Sequence, residues 1–285
     1  MTETRRKRLP TKKTKHEFTA ATADKHLLYQ LSVQDPEVEI AFVHRIYKKI
    51  YGRAPVSLRE DFCGTALFCA EWVKTRPDRT AIGIDLDQPT LDWGIEHNLA
   101  AIGEPGQRVT LLRQNVLDPV RQRSDIAIGM NFSYWVFKTR AEMREYFAGV
   151  HASLEPEGLL VLDAYGGPYS MEAMREDELE RTRIKQGGGF TYVWDQHVVN
   201  AIDHSVVNHI HFEFRDGTKL ERAFTYHWRF WTLPELTELL AEAGFSRSHV
   251  YWEDEDEDGE GTGVYRARKR AENAGAWVAY IIAEK

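Results

Sequence analysis

The sequence predicts a doubly wound α/β domain that carries an inserted antiparallel β-sheet, and three observations carry this. Between residues 36 and 165, short apolar runs alternate with amphipathic helical segments, the pattern of parallel strands covered on both faces. From about residue 189 the hydrophobic period changes from helical to two. Beyond residue 232 a helix and further strands resume.

Val38, Phe42, Ile46 and Ile50 recur every four residues and put one apolar stripe on a helix over residues 36–51. Strand–helix units follow at 56–60 with 65–74 and at 81–85 with 89–101. Next come a strand at 109–113, a strand at 126–130 with a helix at 140–154, and a strand at 158–162. Phe190, Tyr192 and Trp194, then Ile210, Phe212 and Phe214, then Phe224, Tyr226, Trp228 and Phe230 mark three alternating strands. Asp216-Gly217 turns the last pair and residues 201–205 the first. Residues 189–232 hold ten aromatics, about twice the chain average of 12%, so one face of this sheet must cover something. A lid over a ligand, a homodimer contact and the sheet's own packing are the three readings. Residues 233–243 form a helix closed by Gly244, and strands near 248–252 and 277–283 complete the chain. The expected organisation is a basic flexible tail (1–20), a core (21–168), the inserted sheet or lid (169–231) and the C-terminal part of the core (232–285).

The 285 residues, 42% hydrophobic and 28% charged, suffice for one large core. Two cysteines, Cys63 and Cys69, are too few for a disulfide framework or a closed zinc site. No apolar run reaches the roughly 18 residues of a membrane-spanning helix, and none follows the basic start as in a secretory signal. A cytoplasmic protein with no membrane partner is expected. Residues 1–16 carry +6 of a net charge of −7, which leaves −13 on the rest and argues against a nucleic-acid partner beyond the tail's reach. The six acids at 253–258 read as a solvated loop.

The first strand runs through Glu60-Asp61-Phe62-Cys63-Gly64-Thr65-Ala66 straight into a helix. Open α/β sheets bind ligands at such junctions, beyond the carboxyl ends of their strands. A pyrophosphate needs several glycines for close backbone approach, and this loop offers only Gly64. The second strand ends in Gly83-Ile84-Asp85-Leu86-Asp87, where a carboxylate can accept both hydroxyls of a ribose. Asp87 is expected to point away from that acid. Two acids and one glycine indicate adenosine without phosphates.

Together with Gln114-Asn115-Val116 after strand three and Met130-Asn131-Phe132-Ser133-Tyr134 after strand four, these loops resemble, in order and spacing, the motifs of class I S-adenosylmethionine-dependent methyltransferases. The resemblance covers about residues 36–165 and resumes at 231–285. It implies a Rossmann-like doubly wound fold of the class I methyltransferase type, S-adenosyl-L-methionine as cofactor, and methyl transfer. It also implies site roles. Glu60, Phe62, Gly64 and Thr65 would lie along the methionine part, Asp85 with Leu86 at the ribose, Asn115 and Val116 at the adenine, and Asn131 and Phe132 on the loop after strand four. In related methyltransferases the segment before the first helix folds over the cofactor, so Tyr29 or Lys25 would meet its carboxylate. The family's Glu/Asp-x-Gly-x-Gly-x-Gly becomes Glu60-x-Phe62-x-Gly64-x-Ala66 here, with two glycines replaced.

Methyl transfer is an in-line displacement, for which a protein supplies alignment, exclusion of water and, where the acceptor must lose a proton, a base. Candidate catalytic residues at the ends of strands four and five are Tyr134, Asp163 and Tyr165, the latter two suited to holding or deprotonating an amine. A small-molecule acceptor with a nitrogen or oxygen nucleophile is the expectation. A protein or RNA methyltransferase using the basic tail, and a non-catalytic cofactor-binding protein, are the alternatives. His209 and His211 share one face of the predicted sheet, and no metal is assigned.

Overall fold

Residues 18–180, 189–256 and 261–285 are described by the computed structural model; the basic run of residues 1–16 and the end of the acidic run lie outside them. Two helices, α1 (Lys25–Val33) and α2 (Pro36–Tyr51), lead into alternating strands and helices: β1 (Ser57–Asp61), α3 (Leu67–Lys74), β2 (Thr80–Asp85), α4 (Gln88–Gly94), β3 (Val109–Arg113), β4 (Ser124–Gly129), α5 (Arg140–Ser153) and β5 (Leu154–Gly166). A four-stranded antiparallel sheet follows, made of β6 (Met174–Glu180), β7 (Phe190–Gln196), β8 (Ser205–Phe214) and β9 (Lys219–Arg229). The chain then returns through α6 (Leu233–Glu242), β10 (Arg247–Glu255), β11 (Gly261–Arg268) and β12 (Trp277–Glu284).

The main sheet has the order β11-β10-β12-β5-β4-β1-β2-β3. β1 pairs in parallel with both β2 and β4, so the order reverses beside β1 and the carboxyl ends of β1, β2 and β4 open onto one crevice. One face of the sheet is covered by Phe42, Val43, Ile46 and Tyr47 of α2 and Phe68, Trp72 and Val73 of α3. The other is covered by Met143, Tyr146, Phe147 and Val150 of α5 and Leu236, Leu239 and Leu240 of α6. Capping fixes where α5 and α6 begin: Thr139 with Glu142, and Thr232 with Glu235, each form a reciprocal capping box.

The inserted sheet turns its aromatic face inward. Phe190, Ile210, Phe212 and Phe214 bury Leu28 of α1, while Val206, Trp228 and Phe230 join the main core beside Trp135 and Trp231. Phe190, Phe212, Trp228 and Phe230 are thus packed inside the chain, while Tyr192, Trp194, Phe224 and Tyr226 of the same sheet are only half-buried.

Several expectations need correction. On α2 the buried residues include Ile40, Val43 and Tyr47, whereas Val38 is 57% exposed. The helix expected over 89–101 ends at Gly94 and continues as a π-turn (Ile95–Leu99) and a short 3-10 turn. Two strands, β6 and β11, were not expected. The acidic run is not a free loop at its start: Glu253–Glu255 extend β10, and Asp254 pairs with Arg266 and Arg268 of β11.

Candidate active site

The loop between β1 and α3 holds three residues with positive φ: Phe62 (57°), Gly64 (52°) and Ala66 (54°). A left-handed conformation costs a side-chain-bearing residue roughly 1–2 kcal/mol. The surroundings enforce it here. Cys63 N–H donates to the Ile84 carbonyl (3.0 Å), Gly64 N–H to Asp85 Oδ2 (2.8 Å), and Asn98 Nδ2 to the Thr65 carbonyl (2.8 Å). Gly94 lets α4 lie so close that a Cβ there would sit 2.3 Å from the Thr65 carbonyl oxygen. Ala66 is fully buried, and the Phe62 ring packs beside Phe137 and Tyr146 (6.1 and 5.9 Å between centroids). The replaced glycines have therefore changed side chains while the backbone keeps a left-handed turn at positions 62, 64 and 66.

A second left-handed pair follows β4, at Asn131 (φ 55°) and Phe132 (φ 56°). Asp163 at the end of β5 holds it: Oδ2 accepts from Asn131 N–H (2.7 Å) and Oδ1 from Phe132 N–H (2.9 Å). Burial lifts the Asp163 carboxyl to about 7 despite those two donors. Tyr134, also buried, donates to the Asp163 carbonyl (2.7 Å).

Two cavities meet over these loops. One, of about 500 Å³, lies above the strand ends and is lined by Lys25, His26, Gly64, Thr65, Asp85 and Asp87 among others. The second, of about 570 Å³, lies between the inserted sheet and the main sheet, with Tyr165, Glu176, Trp194 and Trp277 on its walls. Tyr29, Asn131, Tyr226 and Trp228 line both. Tyr29 and Tyr226 pack against the same apolar cluster at this shared wall. α1 roofs the first cavity: Trp93 Nε1 donates to Asp24 (2.9 Å), Gln30 Nε2 to Thr65 Oγ1 (2.7 Å), and Lys25 Nζ sits 5.3 Å from the Phe224 ring.

No family model and no curated protein matches the sequence. Solved structures do match the fold. An S-adenosylmethionine-dependent methyltransferase from Clostridium acetobutylicum superposes with a TM-score of 0.64 at 14% identity, over 91% of this chain and 96% of that one. An S-adenosylmethionine-bound amino pentose methyltransferase from Micromonospora echinaspora, involved in calicheamicin biosynthesis, gives 0.64 at 15% identity, over 91% and 96%. A sugar N-methyltransferase from Streptoalloteichus gives 0.61 at 17% identity, over 92% and 93%. The chain has the class I methyltransferase fold.

Within that methyltransferase fold, the expected site residues separate into those that face the cavities and those that build them. Tyr29, Phe62, Gly64, Thr65, Asp85 and Asn131 line the first cavity; Tyr165 and Phe132 line the second. Asp87 also lines the first: its N–H donates to Asp85 Oδ1 (2.9 Å) while its own carboxylate caps α4 at Thr90. Glu60 lies under the loop, where Oε2 accepts from Cys69 N–H (2.9 Å) and burial raises the carboxyl to about 7. Val116 is buried and its carbonyl accepts from Arg59 (3.1 Å). Asn115 caps its own turn by accepting from Leu117 N–H (3.0 Å), and Leu86 is 63% exposed. Glu60, Leu86, Asn115, Val116, Tyr134 and Asp163 line neither cavity. Glu176, Gln196, Tyr226, Trp228 and Glu253 are among the lining residues to which the sequence assigned no site role. Alternation alone could have put Trp194, Tyr226 and Trp228 on one face, but nothing local said what that face covers.

Proposed function

We propose that the protein is an S-adenosylmethionine-dependent methyltransferase acting on a small-molecule acceptor. The observation that carries this is the pair of cavities joined at Tyr29, Asn131, Tyr226 and Trp228. One compartment suits a cofactor, the other an acceptor, and the shared wall is where a group would pass. Both volumes fall within the roughly 300–1,000 Å³ of small-molecule sites.

The residues fit the cofactor. Asp85 can exchange its two backbone donors for ribose hydroxyls, Lys25 supplies a cation for a carboxylate, and the faces of Tyr226 and Trp228 suit a sulfonium. When bound, S-adenosylmethionine supplies a methyl group on that sulfonium. The protein then supplies alignment and dryness, with residues 169–231 acting as the lid and α1 closing the cofactor side. Tyr165 holds its proton, since burial pushes its phenol well up, so it orients an acceptor rather than deprotonating it. Asp163 and Tyr134 are positioning residues for the Asn131–Phe132 turn. An acceptor nitrogen or oxygen in the second cavity would meet the shared wall of Tyr29, Asn131, Tyr226 and Trp228, across which the bound cofactor would supply its methyl group, with the acceptor's proton passing to solvent.

Calorimetry with S-adenosylmethionine, S-adenosylhomocysteine and NAD tests the reading. The first two should bind in the micromolar range and NAD should not, because this loop has no glycine-rich cradle for a pyrophosphate. NAD binding with no response to the other two would overturn it.

A further inference from the structure

We infer that the second cavity selects a cationic acceptor, a small organic amine with an apolar or aromatic body, over carboxylate- or phosphate-bearing ones. This rests on the acceptor reading above and deepens it. The polar groups of the cavity are the first reason. Two carboxylates, Glu176 and Glu253, line it, and none of the described lining residues is Lys, Arg or His. Three donors on its wall are already engaged within the chain. Gln196 Nε2 donates to the carbonyls of Tyr169 (3.2 Å) and Glu172 (2.8 Å), Ser170 Oγ to the Gly167 carbonyl (2.6 Å), and Trp277 Nε1 to Asn273 (3.1 Å).

The acceptors are less committed. Glu253 is fixed by Gly263 N–H (2.6 Å) and the Tyr265 hydroxyl (3.2 Å), which leaves lone pairs on both oxygens. Glu176, opposite Trp194 in the β6–β7 register, takes no hydrogen bond among the described residues. A ligand entering here must bring donors, as an ammonium does.

The walls are the second reason. Tyr226 stacks on Trp228 (4.5 Å between centroids, 25° between planes), and Trp194 lies 6.3 and 6.1 Å from the two. A row of three electron-rich rings facing carboxylates attracts a cation and disfavours an anion. Such a cavity would hold the amine as its ammonium. The nitrogen must shed that proton to solvent to expose its lone pair at the shared wall, where the new carbon–nitrogen bond forms as the carbon–sulfur bond breaks.

Tryptamine, tryptophol and indole-3-acetate share one ring and differ in charge, so their binding reads the preference directly. Each is titrated calorimetrically into the free protein and into protein saturated with S-adenosylhomocysteine. Tryptamine should bind at least tenfold more tightly than tryptophol and indole-3-acetate least of all. Raising salt from 50 to 500 mM should narrow the gap. Glu176→Gln should cut the tryptamine-to-tryptophol ratio severalfold without changing S-adenosylhomocysteine affinity, and far-UV circular dichroism checks that the variant is folded. Equal binding of amine and alcohol, preference for the acid, no binding by any of the three, or a ratio untouched by Glu176→Gln overturns the inference. S-adenosylhomocysteine binding, measured in the same preparation, separates that outcome from failure of the methyltransferase reading itself.

Discussion

Replacing Glu39 with glutamine should stabilise the protein at pH 8 and leave it unchanged near pH 4.5. Glu39 lies in the first turn of α2, and no hydrogen bond or ion pair reaches its carboxylate among the described residues. Burial raises it to about 8, and the neighbouring acids Asp163 and Glu60 push the same way. A carboxyl whose folded pKa exceeds its unfolded value favours folding while protonated. That contribution is complete below about pH 4.5 and is lost as pH rises through about 8. Glutamine does not titrate, so the gap between variant and wild type opens by at most about 1.4 kcal/mol per pH unit across this window. The ceiling near pH 8 is thus about 5 kcal/mol. Partial contact with water and the shared field of Asp163 and Glu60 reduce the expected gain to about 2 kcal/mol. That still exceeds the roughly 0.3–1 kcal/mol a helix loses with an acid of its first turn. Urea denaturation of both proteins at pH 4.5 and pH 8 measures the gap. Histidines such as the half-buried His26 and the buried His209, whose pKa values burial lowers, titrate in the same range in both proteins and cancel in the difference. A gain equal at both pH values, or a loss at pH 8, would refute the reasoning.

Asp85→Ala should weaken S-adenosylhomocysteine binding by about 1.5–3 kcal/mol in calorimetry, with a further loss of about 1 kcal/mol in apo stability because the Gly64 and Asp87 N–H groups lose their acceptor. Gly94→Ala should cost about 1–3 kcal/mol in thermal unfolding, since its methyl group meets the Thr65 carbonyl, whereas Gly149→Ala on α5, with open space around its Cβ, should gain about 0.5–1 kcal/mol. Deleting residues 1–16 should leave cofactor affinity unchanged and its salt dependence flat; a log–log slope near −4 with duplex nucleic acid would favour the nucleic-acid alternative.

The alternating strands and helices were legible because their apolar periods are strong, and Asp216-Gly217 and Gly244 marked turns by conformational need. β6 was not, since Met174-Arg175-Glu176-Asp177-Glu178 reads as a solvated stretch until β7 pairs with it. The central strand hid its burial for a related reason. Arg59, Glu60 and Asp61 are all at most 6% exposed, which charged residues reach only with partners, several of them distant in sequence here. Arg59 finds Asp61 (2.7 Å), Ser153 (2.9 Å) and the Val116 carbonyl, and Tyr146 donates to Asp61 (3.0 Å). The site loops were found by position, but the division between facing and supporting residues was not. Whether Asp163 faces a ligand or a pair of backbone amides depends on the left-handed turn at Asn131 and Phe132, and no local pattern in the sequence announces that turn.

Tyr29 packs on Phe224 (5.0 Å between centroids) and meets Tyr226 at the boundary of both compartments, which joins α1 to the inserted sheet, and Leu28 anchors the same helix in that sheet's core. Closing α1 on either compartment therefore lowers the conformational entropy still to be lost when the other fills. The two occupancies become thermodynamically linked: each ligand must tighten the other by the same factor. The factor is the same whichever side of the tyrosine pair fills first.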